Sequence, residues 1–293
     1  MRQILFLCLF SSTFLTSFVE AKLPVLNPGI DAIYGADDRE LITSGSNHQI
    51  KKLADSVALI VSIDVLDIGF LRTIIKAATL KENVNMCVTE NFVTRPSVSG
   101  CTGFLVSPDV IATAGHCFQN EEDCATKKII FDVDSHNQTR NGYVVLSHNV
   151  YSCKEVLKSE SNDDHDYALI RMERASKRLP LKLNKSGLKI SDDASVFMIG
   201  HPLGLPLMLS KSAPVSDNRG VSIFKTALDS FEGNSGSPVF NANTFEVEGI
   251  LVNGQEDFVL DSNGECYRNK RYDDGVAGGE GVTRISDPLP FIK

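Results

Sequence analysis

What this 293-residue chain lacks narrows it first. Beyond its first 21 residues no apolar run is long enough to span a bilayer as a helix, which excludes a bundle of membrane-spanning helices. There is no basic excess. Lys and Arg number 29 against 37 Asp and Glu, a net charge of -8, and an acidic surface argues against a nucleic-acid partner. No paired CxxC occurs, which argues against a structural zinc site. Neither an internal repeat nor a low-complexity linker interrupts the chain, so solenoids and tethered arrays are excluded.

What is present begins with an exported-protein signature. Arg2 starts a mostly apolar stretch from Ile4 to Val19, broken by Ser11, Ser12, Thr13, Thr16 and Ser17 and closed by Ala21. This predicts a cleaved signal peptide over 1–21, not an anchor, and a secreted or periplasmic location. Its removal takes Arg2 and Glu20 together, so the charge stays at -8. Cys8 leaves with it, and six cysteines remain: Cys87, Cys101, Cys117, Cys124, Cys153 and Cys266. An even number in an exported chain predicts disulfides, with fifteen pairings possible.

Residues 22–50 carry loop signals such as Asn27-Pro28-Gly29 and Ser44-Gly45-Ser46-Asn47 and read as an amino-terminal arm or a propeptide. From Val57 onward short apolar, β-branched and aromatic runs alternate with turns: Val57 to Val65, Gly103 to Val106, Val110 to Ala114, Tyr167 to Met172, Val196 to Ile199, Val247 to Val252. That pattern predicts an all-β architecture of antiparallel sandwiches or barrels. Leu71 to Leu80 reads as a short helix, and Pro288 and Pro290 allow only a short final helix or turn. The expected body is 51–293, with a first barrel to about 180 and a second from about 181.

Three segments carry chemistry. Ser235 sits between glycines in Glu232-Gly233-Asn234-Ser235-Gly236-Ser237-Pro238, a tight-turn sequence that exposes a hydroxyl and leaves the Gly233 and Ser235 amides free to hold an oxyanion. His116 ends the apolar strand Val110-Ile111-Ala112 beside Cys117, while His48, His136, His148, His165 and His201 lie in polar or turn-rich stretches and read as surface residues. Asp166 heads the strand Tyr167-Ala168-Leu169-Ile170. A hydroxyl needs a nearby base to become a nucleophile, and the base needs a third group to orient it. Ser235, His116 and Asp166 fit those three tasks, and Asp163 and Asp164 read as solvated charges.

The segments and their chain order resemble the trypsin/chymotrypsin superfamily. CTGFLVSPDVIATAGHC is similar to that family's first-barrel signature, GNSGSPVFN resembles the bacterial glutamyl-endopeptidase branch, and GEGVTRISDPLPFI is similar to the last strand of the fold. The likeness covers about residues 34–293, with gaps over 60–95 and 255–275. It implies two six-stranded antiparallel barrels of chymotrypsin-like fold, a catalytic triad of His116, Asp166 and Ser235, and a Cys101–Cys117 disulfide. For the other cysteines we expect Cys124–Cys153 and, by elimination, Cys87–Cys266.

Two departures stand out. Asn234 occupies the position where trypsin has the Asp that pairs with a newly cut amino terminus, and the stretch Gly249 to Gly254 lacks the His used by glutamyl endopeptidases. The resemblance instead puts Asp229 at the base of the specificity pocket, with Gly254 and Gly281 keeping it open, which implies Arg or Lys before the scissile bond. Arg39, Lys51 and Lys52 offer activation cleavage points. The expected partners are protein or peptide substrates, with no nucleic acid and no membrane after signal removal. A monomer with no metal or organic cofactor is expected, the acidic run Glu121-Glu122-Asp123 reading as a solvated face. The rival readings are a silent binding protein on the same scaffold and a narrow-specificity toxin or processing protease.

Overall fold

A computed structural model of the chain describes residues 33–273 and 279–292; the expected signal peptide and the first part of the arm lie outside the described residues. Among these, no helix is long and apolar enough to cross a membrane.

Twelve strands form two closed barrels. The first contains β1 (Val57–Ser62), β2 (Cys101–Ser107), β3 (Val110–Thr113), β4 (Lys127–Ile130), β5 (Val150–Ser161) and β6 (Asp166–Met172). Its ring order is β1-β2-β3-β6-β5-β4, antiparallel throughout. The second contains β7 (Ser195–Gly200), β8 (Met208–Asp217), β9 (Ile223–Thr226), β10 (Pro238–Asn241), β11 (Val247–Asn253) and β12 (Glu280–Arg284). Its order is β7-β8-β9-β12-β11-β10, the same connectivity. A 3-10 turn at Leu289–Phe291 ends the fold. The two-barrel reading therefore holds.

Near-continuous apolar runs arise because these strands are buried on both faces. Side chains alternate across a strand. Thus Ile60, Leu105, Ile111, Ala168 and Ile170 fill the first barrel, while Val57, Phe104, Ala112 and Leu169 face outward and meet Phe197, Ile199, Phe240 and Ile250 of the second. The second barrel is filled by Val196, Met198, Phe224, Val239, Leu251 and Val282. A second apolar layer between the barrels holds them in fixed register, which the site needs.

One region corrects the sequence reading, and another adds to it. Leu71 to Leu80 is not a helix. Leu66–Ile68 and Arg72–Lys76 form a hairpin, Ala78–Thr79 pairs with Pro96–Ser97, and only Leu80–Val84 is helical. The strand Arg72–Lys76 alternates exposed and buried residues because it pairs with Gly142–Leu146 over one buried face, a contact no local pattern encodes. The arm is woven into the body from Ile33 onward. Ile33–Tyr34 pairs with Arg271–Tyr272 and Glu40–Leu41 pairs with β8. Arg39 is 6% exposed, ion-paired with Asp37 at 2.8 Å and stacked 4.0 Å from the Phe231 ring centre, so it is no open cleavage point.

The cysteines pair as Cys101–Cys117, Cys124–Cys153 and Cys87–Cys266.

Candidate active site

The three candidate segments converge where the barrels meet. His116 lies in a one-turn 3-10 element, Gly115–Cys117, directly after β3. The Cys101–Cys117 bond ties that turn to the start of β2. Asp166 opens β6, opposite Ser161 at the end of the long β5–β6 hairpin. The Asp166 carboxylate meets the His116 turn with both oxygens. Oδ1 accepts the His116 backbone N–H at 3.0 Å, and Oδ2 lies 2.7 Å from Nδ1. This grip fixes the ring plane and favours the tautomer with its proton on Nδ1, which leaves Nε2 free to accept a proton. Gly115 is required for the approach, since a Cβ there would lie 1.8 Å from Glu160 O and 2.9 Å from Asp166 Oδ1.

Ser235 lies on the turn before β10, and that turn is docked on the first barrel. Ser235 O accepts from Thr102 N at 2.8 Å, and Cys117 Sγ lies 3.9 Å from the same oxygen. Gly236 adopts φ +90°, and a Cβ on it would lie 2.0 Å from Thr102 O, so only glycine suits both the conformation and the contact. The structure thus brings the backbones of the histidine and serine turns together; among the described residues no hydrogen bond joins the His116 ring to the Ser235 hydroxyl.

The Gly233 turn is held from behind. Glu232 O accepts from Leu203 N, and across a trans peptide the Gly233 N–H points the opposite way. Gly233 O accepts from the Thr102 hydroxyl at 2.8 Å, and Thr102 Oγ1 in turn accepts from His201 N at 3.0 Å. Among the described residues neither the Gly233 nor the Ser235 N–H has a protein acceptor, so both are available to a developing negative charge.

Thr102 and His201 were not found by sequence reasoning. His201 is buried, not exposed, and burial pulls its pKa down to about 4. The neutral ring holds the 201–205 turn by a 3.0 Å contact from Nδ1 to Leu205 O. Asn234 is fully buried, and its side-chain amide finds no partner among the described residues. A neutral side chain is what that spot tolerates, since an aspartate there would be an uncompensated buried charge.

The specificity residues are arranged differently from expectation. Asp229 is buried, and both of its oxygens are occupied by the arm: Oδ1 accepts from Tyr34 N at 2.8 Å and Oδ2 from Asp38 N at 3.0 Å. Burial raises its pKa to about 6, against the lowering effect of those two amides. Beside it Glu280, also buried, accepts from the Tyr34 hydroxyl at 3.0 Å and from the Ser230 hydroxyl. Gly281 does not keep a slot open. The Asn253 side chain covers it, with Oδ1 2.1 Å from where a Cβ would be, and Gly254 follows as a half-buried residue just after the strand. Asp229 therefore anchors the arm and is not a bare carboxylate at the foot of an empty pocket.

Two barrels of identical connectivity, with a His-Asp pair on one and a glycine-flanked serine turn on the other, define a serine protease of chymotrypsin-like fold. The trypsin-like peptidase domain family matches over residues 101–250, a span containing His116, Asp166 and Ser235; the chain belongs to that family and is a serine endopeptidase. Among solved structures it is similar to a Glu endopeptidase in complex with MPD, at 16% identity and TM-score 0.53, covering 89% of this chain and 97% of that one. It is also similar to the VesB protease of Vibrio cholerae, at 13% identity and TM-score 0.50, covering 87% of this chain and 66% of that one. These likenesses concern the fold. A search of curated protein sequences gives no match.

Proposed function

We propose that the chain is an exported endopeptidase working through a Ser235-His116-Asp166 triad. Ser235 Oγ attacks the peptide carbonyl. His116 Nε2 takes its proton and later gives it to the leaving amine. Asp166 stabilises the imidazolium, and the Gly233 and Ser235 amides hold the oxyanion. Water then releases the acyl group by the same steps in reverse order. The observation that carries this reading is the two-oxygen hold of Asp166 on the His116 turn. Export is supported by the three disulfides, which persist in oxidising compartments.

For the residue before the scissile bond we propose Arg or Lys. Asp229 and Glu280 both bond to Tyr34, and the negative charge of the two carboxylates favours a cationic side chain nearby over an acidic one. Because each is already hydrogen-bonded, the preference over Phe is modest, about tenfold. Fluorophosphonate labelling of the purified protein tests the triad, with Ser235→Ala as control. Labelling of wild type alone supports it, and equal labelling of the variant refutes it. Peptides with Arg, Lys, Phe or Glu before the bond test the preference, and equal cleavage after Phe removes it.

A further inference from the structure

Among the described residues Phe70 is the most exposed large apolar side chain, at 96%, and Leu71 beside it is 72% exposed. Both stand at the tip of the hairpin made by Leu66–Ile68 and Arg72–Lys76. Gly69 N donates to Arg72 O at 3.1 Å, which leaves Phe70 and Leu71 as the whole of a two-residue loop. Such loops favour Asn-Gly or other glycine-containing pairs at positive φ. Here both residues are large and apolar, and neither has a positive φ. A single exposed Leu needs no explanation. A Phe-Leu pair where turn chemistry calls for Asn or Gly breaks a local rule with no gain in packing, which marks a functional surface.

The tip is held in place. Leu71 O accepts from Ser147 N at 3.0 Å, and Gly69 O accepts from the Ser147 hydroxyl at 2.7 Å. That hydroxyl also lies 3.0 Å from Thr73 Oγ1. Behind the tip the outer face of the sheet presents Ile74 and Leu146, and Ile68 is exposed on the edge strand. Arg72 is exposed directly beside the loop, across from Leu146. The sheet's one carboxylate, Asp67, sits further from the tip, opposite Ile74, and the exposed Lys76 on the neighbouring strand offsets it.

We propose that this tip is a membrane-docking element. Phe70 and Leu71 enter the apolar edge of a phospholipid bilayer, and Arg72 meets a lipid phosphate. A protein partner fits less well. A stable interface takes roughly 20–30 residues a side, whereas this patch offers the apolar side chains of Phe70, Leu71, Ile68, Ile74 and Leu146 around a protruding turn. A fluid bilayer needs no matching pocket. The expectation of no membrane contact rested on the lack of a spanning segment, and a tip that enters one leaflet needs none. With a net charge of -8, the chain as a whole is not drawn to anionic lipid, so apolar insertion supplies the attraction. The inference is independent of the triad.

The chain has no tryptophan, so Phe70→Trp places a single indole at the tip. On adding phosphatidylcholine vesicles its emission should shift to the blue, and lipids brominated in the acyl chains should quench it. Wild type should co-sediment with the same vesicles. Phe70→Ser with Leu71→Ser should lower that binding by at least about tenfold with an unchanged melting temperature, since neither side chain is buried. The indole reading decides the matter even where the double variant folds poorly. No spectral shift with vesicles, or vesicle binding that survives the double substitution, overturns the proposal. Emission already blue-shifted without lipid, or a dimer that the double substitution dissolves, shows a tip covered by protein and overturns it as well.

Discussion

Tyr34 and Asp229 stand 195 positions apart and share a 2.8 Å hydrogen bond from backbone amide to carboxylate. Through it the amino-terminal arm is tied to the segment that leads from β9 to the Ser235 turn. The Asp38 amide and the Tyr34 hydroxyl on Glu280 complete the seam.

A pH dependence follows from this seam. The folded-state pKa of Asp229 is about 6, above the ordinary 3.8. The folded protein therefore holds that proton more tightly than the unfolded chain. The associated stability is fully present below about pH 4 and is lost as pH rises through 6, to a total of at most about 3 kcal/mol. Asp229→Asn should abolish this slope in urea denaturation followed from pH 4 to 7. Docking of the arm runs the opposite way, because its two amides favour the carboxylate. Proteolytic release of the arm should quicken as pH falls below 6, read by mass spectrometry of limited digests.

The two-oxygen hold of Asp166 separates orientation from charge. Asp166→Asn keeps the shape but presents the wrong partner to Nδ1. The expected loss in kcat is about 10⁴-fold with little change in KM. Steady-state kinetics on one peptide decides it, and a loss below tenfold would remove Asp166 from the triad.

On the proposed mechanism Thr102 positions the turn that would hold the oxyanion, since its hydroxyl links Gly233 O to His201 N. Thr102→Val removes both bonds while conserving shape. It should lower kcat by about 10- to 100-fold and leave KM within about twofold. Thr102→Ser, which keeps the hydroxyl, should restore most of the rate. A purely structural role would lower melting temperature without this split.

The Cys87–Cys266 bond spans 179 residues. Removing it by Cys87→Ser with Cys266→Ser should cost about 2–5 kcal/mol of unfolding free energy, measured in guanidinium.

The parts of the molecule legible in the sequence are those whose signal is local. Runs such as Gly103 to Val106 and Tyr167 to Met172 announce strands buried on both faces, and glycines around Ser235 announce a tight turn. What was not legible depends on partners far along the chain. Nothing near Asp229 indicates that Tyr34 and Asp38 will cap it, and nothing near Gly281 indicates that Asn253 will cover it. His201 sits among Gly and Pro like a surface turn, and it is buried because Thr102 and Leu205 take up its polar atoms. The hairpin at 66–76 was misread for a related reason: its alternation is set by Gly142–Leu146, some seventy residues on.

The same long disulfide has a consequence for a protease exposed to its own kind. Cys87 lies before β2 and Cys266 before β12, so the connector at 173–194 between the barrels falls inside the loop they close. A single nick there, or in the turn at 218–222, yields two polypeptides that still travel as one molecule. Such damage would stay invisible until a reducing agent let the halves part.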